Sequence, residues 1–173
     1  AEIKNINIVG NLSFEDEEIL KDFELKTGGW FSFFTNDNRY SREKLKGDIE
    51  SLESYYKNRG YVEFKLDSSQ VSVTPDKTSV FITLNVDEGS TYKVNDVKIV
   101  GDLPVDEELL NSLVLIKSGE IFNQYLITET EELFKNILGN EGYSFAEIRG
   151  VPDVNKETGD VDLTFYVDPQ QRT

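Results

Sequence analysis

The chain repeats itself, and this duplication restricts the folds it can adopt more than any other feature of the sequence. Residues 3–11 read IKNINIVGN and residues 94–102 read VNDVKIVGD, at an offset of 91 positions. Towards the end of each copy, VFITLNVD at 80–87 corresponds to VDLTFYVD at 161–168, at an offset of 81. A period of this length indicates two tandem domains, because solenoid repeats are only about 20–50 residues long.

The offset between the copies shortens along the chain. Gly60-Tyr61 matches Gly142-Tyr143 at an offset of 82, so the first copy carries about nine extra residues between its two helices, within 32–40. We therefore predict one domain at 1–89, which contains this insertion, and a second domain at 90–173.

Each copy has the same predicted order of elements, β-α-α-β-β. The run at 5–9 alternates polar and apolar residues, as a strand with one buried face does. The predicted inner stripe of the long helix consists of Leu45, Ile49, Leu52 and Tyr56. Their spacing of four, three and four residues places them on one helical face. We predict an α+β fold of two tandem domains, each with two helices packed on a three-stranded mixed sheet.

The strand after the long helix contains an irregularity. Phe64 and Leu66 occupy even positions in the sequence. Val71 and Val73 occupy odd positions, so a regular strand would send the two pairs to opposite faces. A β-bulge within residues 67–70 would return all four to the core. Bulges concentrate on edge strands, whose unpaired backbone groups can accept an added strand. The alternative, to which the residues alone give equal weight, is that the bulge only protects this edge against aggregation and that the strand binds no partner.

The charge and composition exclude several classes of function. The chain has 18 Lys and Arg against 33 Asp and Glu, a net charge of -15, which repels phosphate backbones and argues against nucleic-acid binding. It has no His, which is the commonest general base, and no Cys, which supplies thiol ligands for metals. No apolar run reaches the roughly 18 residues of a membrane span.

Two acidic runs, at 15–18 and 106–108, invite comparison with a metal or acid-base site. Carboxylates in a first helical turn are explained by the helix dipole, and a calcium loop would need spaced oxygen ligands and a turning glycine. We predict no catalytic residue, no metal site and no cofactor. A carboxylate-dependent hydrolase is a remote alternative.

Two strings carry a family resemblance: SYYKNRGYVEFKLDSSQVSVTPDK at 54–77 and VFITLNVDEGSTYKVNDVKIVG at 80–101. They resemble the POTRA domains of the BamA family, the outer-membrane β-barrel assembly factors of Gram-negative bacteria. The whole chain is similar to the third and fourth of those domains. The resemblance implies a β-α-α-β-β fold, a location in the periplasm as part of an outer-membrane protein, and neighbouring POTRA domains and a C-terminal barrel in the same chain.

The resemblance also implies partners for the first domain. These are unfolded outer-membrane β-barrel proteins and an accessory lipoprotein, a BamB-like β-propeller. We expect both to bind by edge-strand augmentation, because main-chain pairing does not depend on side-chain identity. The candidate residues are Phe64, Leu66, Asp67, Ser68, Ser69, Gln70, Val71 and Val73.

An aromatic segment overlaps the insertion and contains Trp30, Phe33 and Phe34. Phe31 matches Phe122 in the second copy and is predicted to be core. Loop aromatics more often complete a local core than bind partners, so a core role is the favoured interpretation for the other three. The alternative is a contact patch for a client or for a neighbouring domain.

Two further alternatives concern the chain as a whole. One is an architectural spacer between the membrane barrel and distal domains. The other is the POTRA pair of a different secretion or translocation barrel. The strand of the second copy near 145–154 contains Gly150 and Pro152, and a proline lacks the N–H that strand addition needs. We therefore expect the second domain to be the poorer binding edge.

Overall fold

The protein is described here from a computed structural model that covers residues 1–32 and 39–173. Contacts between backbone positions divide the chain into two compact units. The first unit contains Ala1–Tyr56 and Glu63–Gly89, and the second contains Lys57–Val62 and Ser90–Thr173. Within the second unit, the Gly60 carbonyl accepts the N–H of Tyr92 at 3.0 Å. The domain boundary between residues 89 and 90 stays a prediction.

The first unit contains a three-stranded mixed sheet. Its elements are β1 (Glu2–Val9), α1 (Asp16–Leu20), α2 (Arg39–Lys57), β2 (Lys65–Val73) and β3 (Ser79–Asp87). The strand order is β1-β3-β2, with β1 parallel and β2 antiparallel to the central strand β3. The predicted element order and mixed sheet are confirmed for this unit.

The second unit repeats this arrangement. Its elements are β4 (Lys93–Gly101), α3 (Glu107–Leu113), α4 (Gln124–Asn140), β5 (Glu147–Asn155) and β6 (Asp160–Asp168). The strand order is β4-β6-β5, with β4 parallel and β5 antiparallel to β6. The predicted duplication of one α+β fold is therefore confirmed.

The core of the first unit lies beneath the central strand. The inward residues of β3 are all buried: Val80, Ile82, Leu84 and Val86. On α2, Leu52 and Tyr56 are buried as predicted, but Leu45 and Ile49 are only half-buried. The buried face of α2 instead continues through Asp48 and Ser41, so the predicted stripe is wrong in its first half.

A buried carboxylate explains this rotation of α2. Asp48 is 1% exposed, and its two oxygens accept the backbone N–H groups of Glu24 at 2.7 Å and Leu25 at 2.9 Å. A buried N–H without a partner is costly, so the helix turns Asp48 inward to meet both. In the second unit, the hydroxyl of Thr130 accepts the N–H of Leu115 at 3.1 Å and takes the equivalent place in the repeat.

The first unit has a titratable group at this position, Asp48, and the second unit has the uncharged Thr130. Burial raises the pKa of Asp48 above its ordinary value of 3.8, against the lowering effect of the two N–H groups. The folded state therefore holds a proton at this carboxyl more tightly than the unfolded state does. Stability from this group rises as the pH falls through the folded pKa, and it declines as the pH rises through the same range.

We expect Asp48→Asn to remove this pH dependence. Thermal unfolding followed by circular dichroism, in a pH series that starts near the ordinary pKa of 3.8 and rises towards neutrality, measures it. The wild-type midpoint, relative to that of the variant, should increase towards the acidic end of the series. Glu50→Gln, at an exposed carboxylate on the same helix, is the control. Parallel pH profiles for wild type and Asp48→Asn would contradict the assignment.

Candidate functional site

The strand β2 forms one edge of the first sheet. It pairs with β3 alone among the described residues, which confirms its predicted edge position. The hairpin that joins the two strands turns at Thr74–Lys77, where Lys77 has a positive φ of 62° and its N–H donates to the Thr74 carbonyl at 2.8 Å. The edge is therefore held at one end by a tight turn.

The predicted bulge is present and lies at Asp67. The pairing steps from Leu66 opposite Val86 to Ser68 opposite Asn85, so Asp67 has no partner on β3. The extra residue turns Leu66 to the face that carries Val71, as the parity argument required.

Burial along this strand is lower than predicted. Phe64 is 4% exposed and stacks on Tyr56 with ring centroids 4.3 Å apart. Leu66, Val71 and Val73 share its face but are half-buried, so the expectation that all four join the core is wrong for these three. An edge strand has a neighbour on one side only, which leaves its inward side chains partly open to solvent.

The hairpin fixes which backbone groups face outward. The N–H of Thr74 donates to the Ser79 carbonyl at 3.0 Å, so position 74 faces β3. Backbone groups alternate in direction along an antiparallel strand. The N–H and C=O groups of Ser69, Val71 and Val73 therefore point away from β3 to the open edge. Ser68 and Gln70 direct theirs into the sheet, and the Ser68 hydroxyl accepts a hydrogen bond from the Asn85 amide at 2.8 Å.

In each sheet, a loop of the chain itself pairs with the N-terminal end of the parallel edge strand. On β1, the N–H of Ile3 donates to the Gly29 carbonyl, and the N–H of Gly28 donates to the Ile3 carbonyl, both at 2.7 Å. On β4, Val94 donates to Glu120 at 2.8 Å and accepts from Gly119 at 2.7 Å. A glycine-containing loop thus pairs with the N-terminal end of each parallel edge strand. The antiparallel edge strands of the described residues are β2 and β5.

The long helix of the first unit carries a shallow groove. It has a volume of about 410 Å³ and an apolar floor formed by the half-buried Leu45 and Ile49. Its rim is charged and consists of Arg42, Lys46, Glu50 and Glu53. The floor is apolar because α2 is rotated to bury Asp48, which leaves these two side chains partly uncovered.

The aromatic segment divides between core and surface. Phe31 is 1% exposed, as predicted from its match to Phe122, which is also buried. Trp30 is 80% exposed, so the favoured core interpretation is wrong for this residue. It forms a backbone bridge with Glu2, and because side chains alternate along an extended segment, an inward Phe31 places Trp30 outward. Phe33 and Phe34 lie outside the described residues.

The acidic runs lie where the helix-dipole argument placed them. Asp16, Glu17 and Glu18 occupy the first turn of α1, and Glu107 and Glu108 that of α3. Within 1–32 and 39–173, no group of three or more His, Cys, Asp or Glu side chains could hold a metal ion. The same residues contain no helix that is long and apolar enough to cross a membrane.

The fold agrees with comparisons to known proteins. The sequence profile of the POTRA family, described as a surface antigen variable number repeat, matches residues 1–89 and 92–170. The chain belongs to the POTRA family.

Its relatives within that family are outer-membrane protein assembly factors. The chain is 28% identical over 173 residues to the assembly factor BamA of Neisseria meningitidis, covering 99% of this chain and 22% of that protein. It is also 28% identical to BamA of Buchnera aphidicola, covering 98% of this chain and 28% of that protein. The structure matches the crystal structure of Haemophilus influenzae BamA POTRA3-5 with a TM-score of 0.89 at 26% identity, covering 99% of this chain and 67% of that one.

These findings confirm the resemblance to the POTRA domains of the assembly factor. The chain is a pair of POTRA domains homologous to those of the outer-membrane protein assembly machinery, and the relatives support the expected location in the periplasm as part of an outer-membrane protein. It spans 22% and 28% of the length of the two curated relatives. Which domains of the series it represents stays a prediction, as does the role of each residue on the edge.

We expect the fluorescence of Trp30, the single tryptophan, to resemble that of free tryptophan in water, because its side chain is 80% exposed. Quenching of this fluorescence by acrylamide should approach the quenching of free indole. The variant Trp30→Phe is the control, because its remaining emission comes from tyrosine. An emission shifted to the blue and protected from acrylamide would contradict the exposed placement.

Proposed function

We propose that the β2 edge of the first unit receives extended segments of unfolded outer-membrane proteins and docks an accessory β-propeller lipoprotein by strand addition. The observation that carries this proposal is the outward row of backbone groups at Ser69, Val71 and Val73. The bulge at Asp67 ends the row at one side, and the hairpin turn ends it at the other. A partner strand would therefore pair with a short, defined stretch.

The energetics of such an edge suit a protein that must release its client. A backbone hydrogen bond contributes about 0.5–1.5 kcal/mol net, and three outward residues offer only a few such bonds. Main-chain pairing is also indifferent to the client's side chains, so one edge serves many β-strands. Half-buried Leu66, Val71 and Val73 would add modest apolar contact with the added strand.

The exposed Trp30 is the second element of the proposal. A large aromatic side chain that is 80% exposed supplies more contact area than its neighbours do, and tryptophan is enriched at the centres of protein interfaces. We include it as a contact for a client or for a neighbouring POTRA domain of the same chain. The neighbouring domains and the C-terminal barrel remain part of this proposal, since the chain spans only a fraction of its relatives.

We expect Val71→Pro to weaken binding of a β-strand peptide without unfolding the protein. Proline removes the outward N–H of residue 71 and no hydrogen bond to β3, so the ladder is preserved. Loss of one bond should raise the dissociation constant about two- to tenfold. Val71→Thr keeps the N–H and the branched side chain and should bind like wild type.

The measurement is an NMR titration with peptides from barrel strands and with the propeller lipoprotein, after circular dichroism has shown both variants folded. Shifts should concentrate at 64–73. Unchanged affinity in Val71→Pro, or shifts only outside this stretch, would favour the alternative function of an architectural spacer between the barrel and distal domains.

A further inference from the structure

The antiparallel edge of the second unit is closed by a side chain of its own helix. The N–H of Gly150 on β5 donates to the Glu131 carboxylate on α4 at 2.9 Å. β5 pairs with β6 without a register shift, so the backbone N–H and C=O groups of successive residues of β5 point alternately towards β6 and away from it. An N–H that meets the helix points away from β6, and the group at position 152 points the same way. That residue is Pro152, which has no N–H.

Close packing at Gly150 makes this contact geometrically specific. A side chain at position 150 would place its Cβ 2.6 Å from Cγ2 of Ile127 and 3.0 Å from the ring of Phe165. Ile127 is fully buried on the inner face of α4, one turn before Glu131. Any larger residue at position 150 would push α4 away from the strand, so the glycine allows the carboxylate to reach the edge.

The repeat identifies the residues of the first unit that occupy the same places. Ser69 pairs with Leu84 as Gly150 pairs with Phe165, so Ser69 and Val71 correspond to Gly150 and Pro152. On the helices, the offset of 82 that relates Gly60-Tyr61 to Gly142-Tyr143 relates Ile49 to Glu131. The first unit thus has the apolar Ile49 where the second unit has the carboxylate of Glu131. It also has the backbone N–H of Val71 where the second unit has Pro152, which lacks one.

We propose that Glu131, together with Pro152, excludes added strands from the second unit and so directs extended segments to the β2 edge. The inference rests on the proposed function of β2. Glu131 acts by occupying the N–H that the carbonyl of an incoming strand would take. A charge-assisted hydrogen bond is about twice as strong as a neutral one, so a peptide carbonyl does not displace the carboxylate favourably. Glu131 is a specificity-determining residue that contacts no partner.

The direct test opens the second edge in the intact chain. The double variant Glu131→Ile, Pro152→Val carries the residues found at the equivalent places of the first unit. The probe is a synthetic peptide of about ten residues, the length of a barrel strand, in which valine and threonine alternate between terminal lysines. We expect NMR shifts at 147–155 in the double variant and none there in wild type, with the affinity of the second edge increased about tenfold or more by the two freed donors.

The first edge serves as the internal reference in the same sample. Glu131→Gln paired with Pro152→Val keeps an acceptor opposite Gly150 and should open the edge less than the isoleucine variant does. A peptide that shifts 64–73 but not 147–155 in the double variant overturns the role of Glu131. A peptide that shifts neither edge in wild type overturns the proposed function of β2, so the two failures are distinguishable.

The reciprocal test closes the first edge and does not depend on the folding of the second-unit variants. Ile49→Glu combined with Ser69→Gly gives the first unit the carboxylate and the glycine that the second unit has at the equivalent places, on a half-buried position of α2 and on the edge strand. We expect the peptide to bind the first edge about two- to tenfold more weakly, since one outward donor is taken. Ile49→Lys combined with Ser69→Gly removes the same apolar surface and cannot accept a hydrogen bond. Equal weakening in both variants would assign the effect to lost apolar contact and overturn the proposal.

Discussion

Each unit is a sheet of three strands, and such a sheet must do something with the unpaired backbone groups of its two edges. The central strands β3 and β6 have a neighbouring strand on each side, and their inward side chains lie in the cores. Four edges remain in the two units. Loops at residues 28–31 and 119–122 pair with the N-terminal ends of the two parallel edge strands through backbone hydrogen bonds. In the proposed function, the differences between the two antiparallel edges determine where another strand is added.

Buried polar groups determine which face each long helix, α2 or α4, turns towards its sheet. In the first unit, Asp48 turns α2 so that it satisfies two backbone N–H groups, and this leaves Ile49 half-buried beside the groove. In the second unit, the hydroxyl of Thr130 satisfies one N–H, and Ile127 is fully buried under the glycine of the edge strand. Asp48 and Thr130, at equivalent positions of the two helices, are therefore both buried to meet backbone N–H groups, through a carboxylate in one unit and a hydroxyl in the other.

The sequence predicted the fold well because the duplication and the alternation in the third strand are local patterns. The bulge at Asp67 followed from the parity of Phe64 and Val71, which is also a local signal. The outward Trp30 and the rotation of α2 were missed, because both depend on contacts between distant segments. Asp48 lies 23 residues from Leu25 in sequence, and no helical periodicity predicts a buried carboxylate. Comparing the two copies at position 131 would have revealed the change from Ile49 to Glu131, but only the structure shows which N–H the carboxylate meets.

Weak main-chain binding makes the blocking of unwanted edges as important as the presence of a good one. If every hydrogen bond contributes about 0.5–1.5 kcal/mol, two equally open edges would bind a client equally, and a single chain would hold it in two places. Closing one edge requires few changes, because strand addition depends on consecutive donors in a short row. A carboxylate at position 131 and a proline at position 152 remove two such donors from β5. In the proposed function, these two residues confine strand addition to the first unit, while both units keep the same fold.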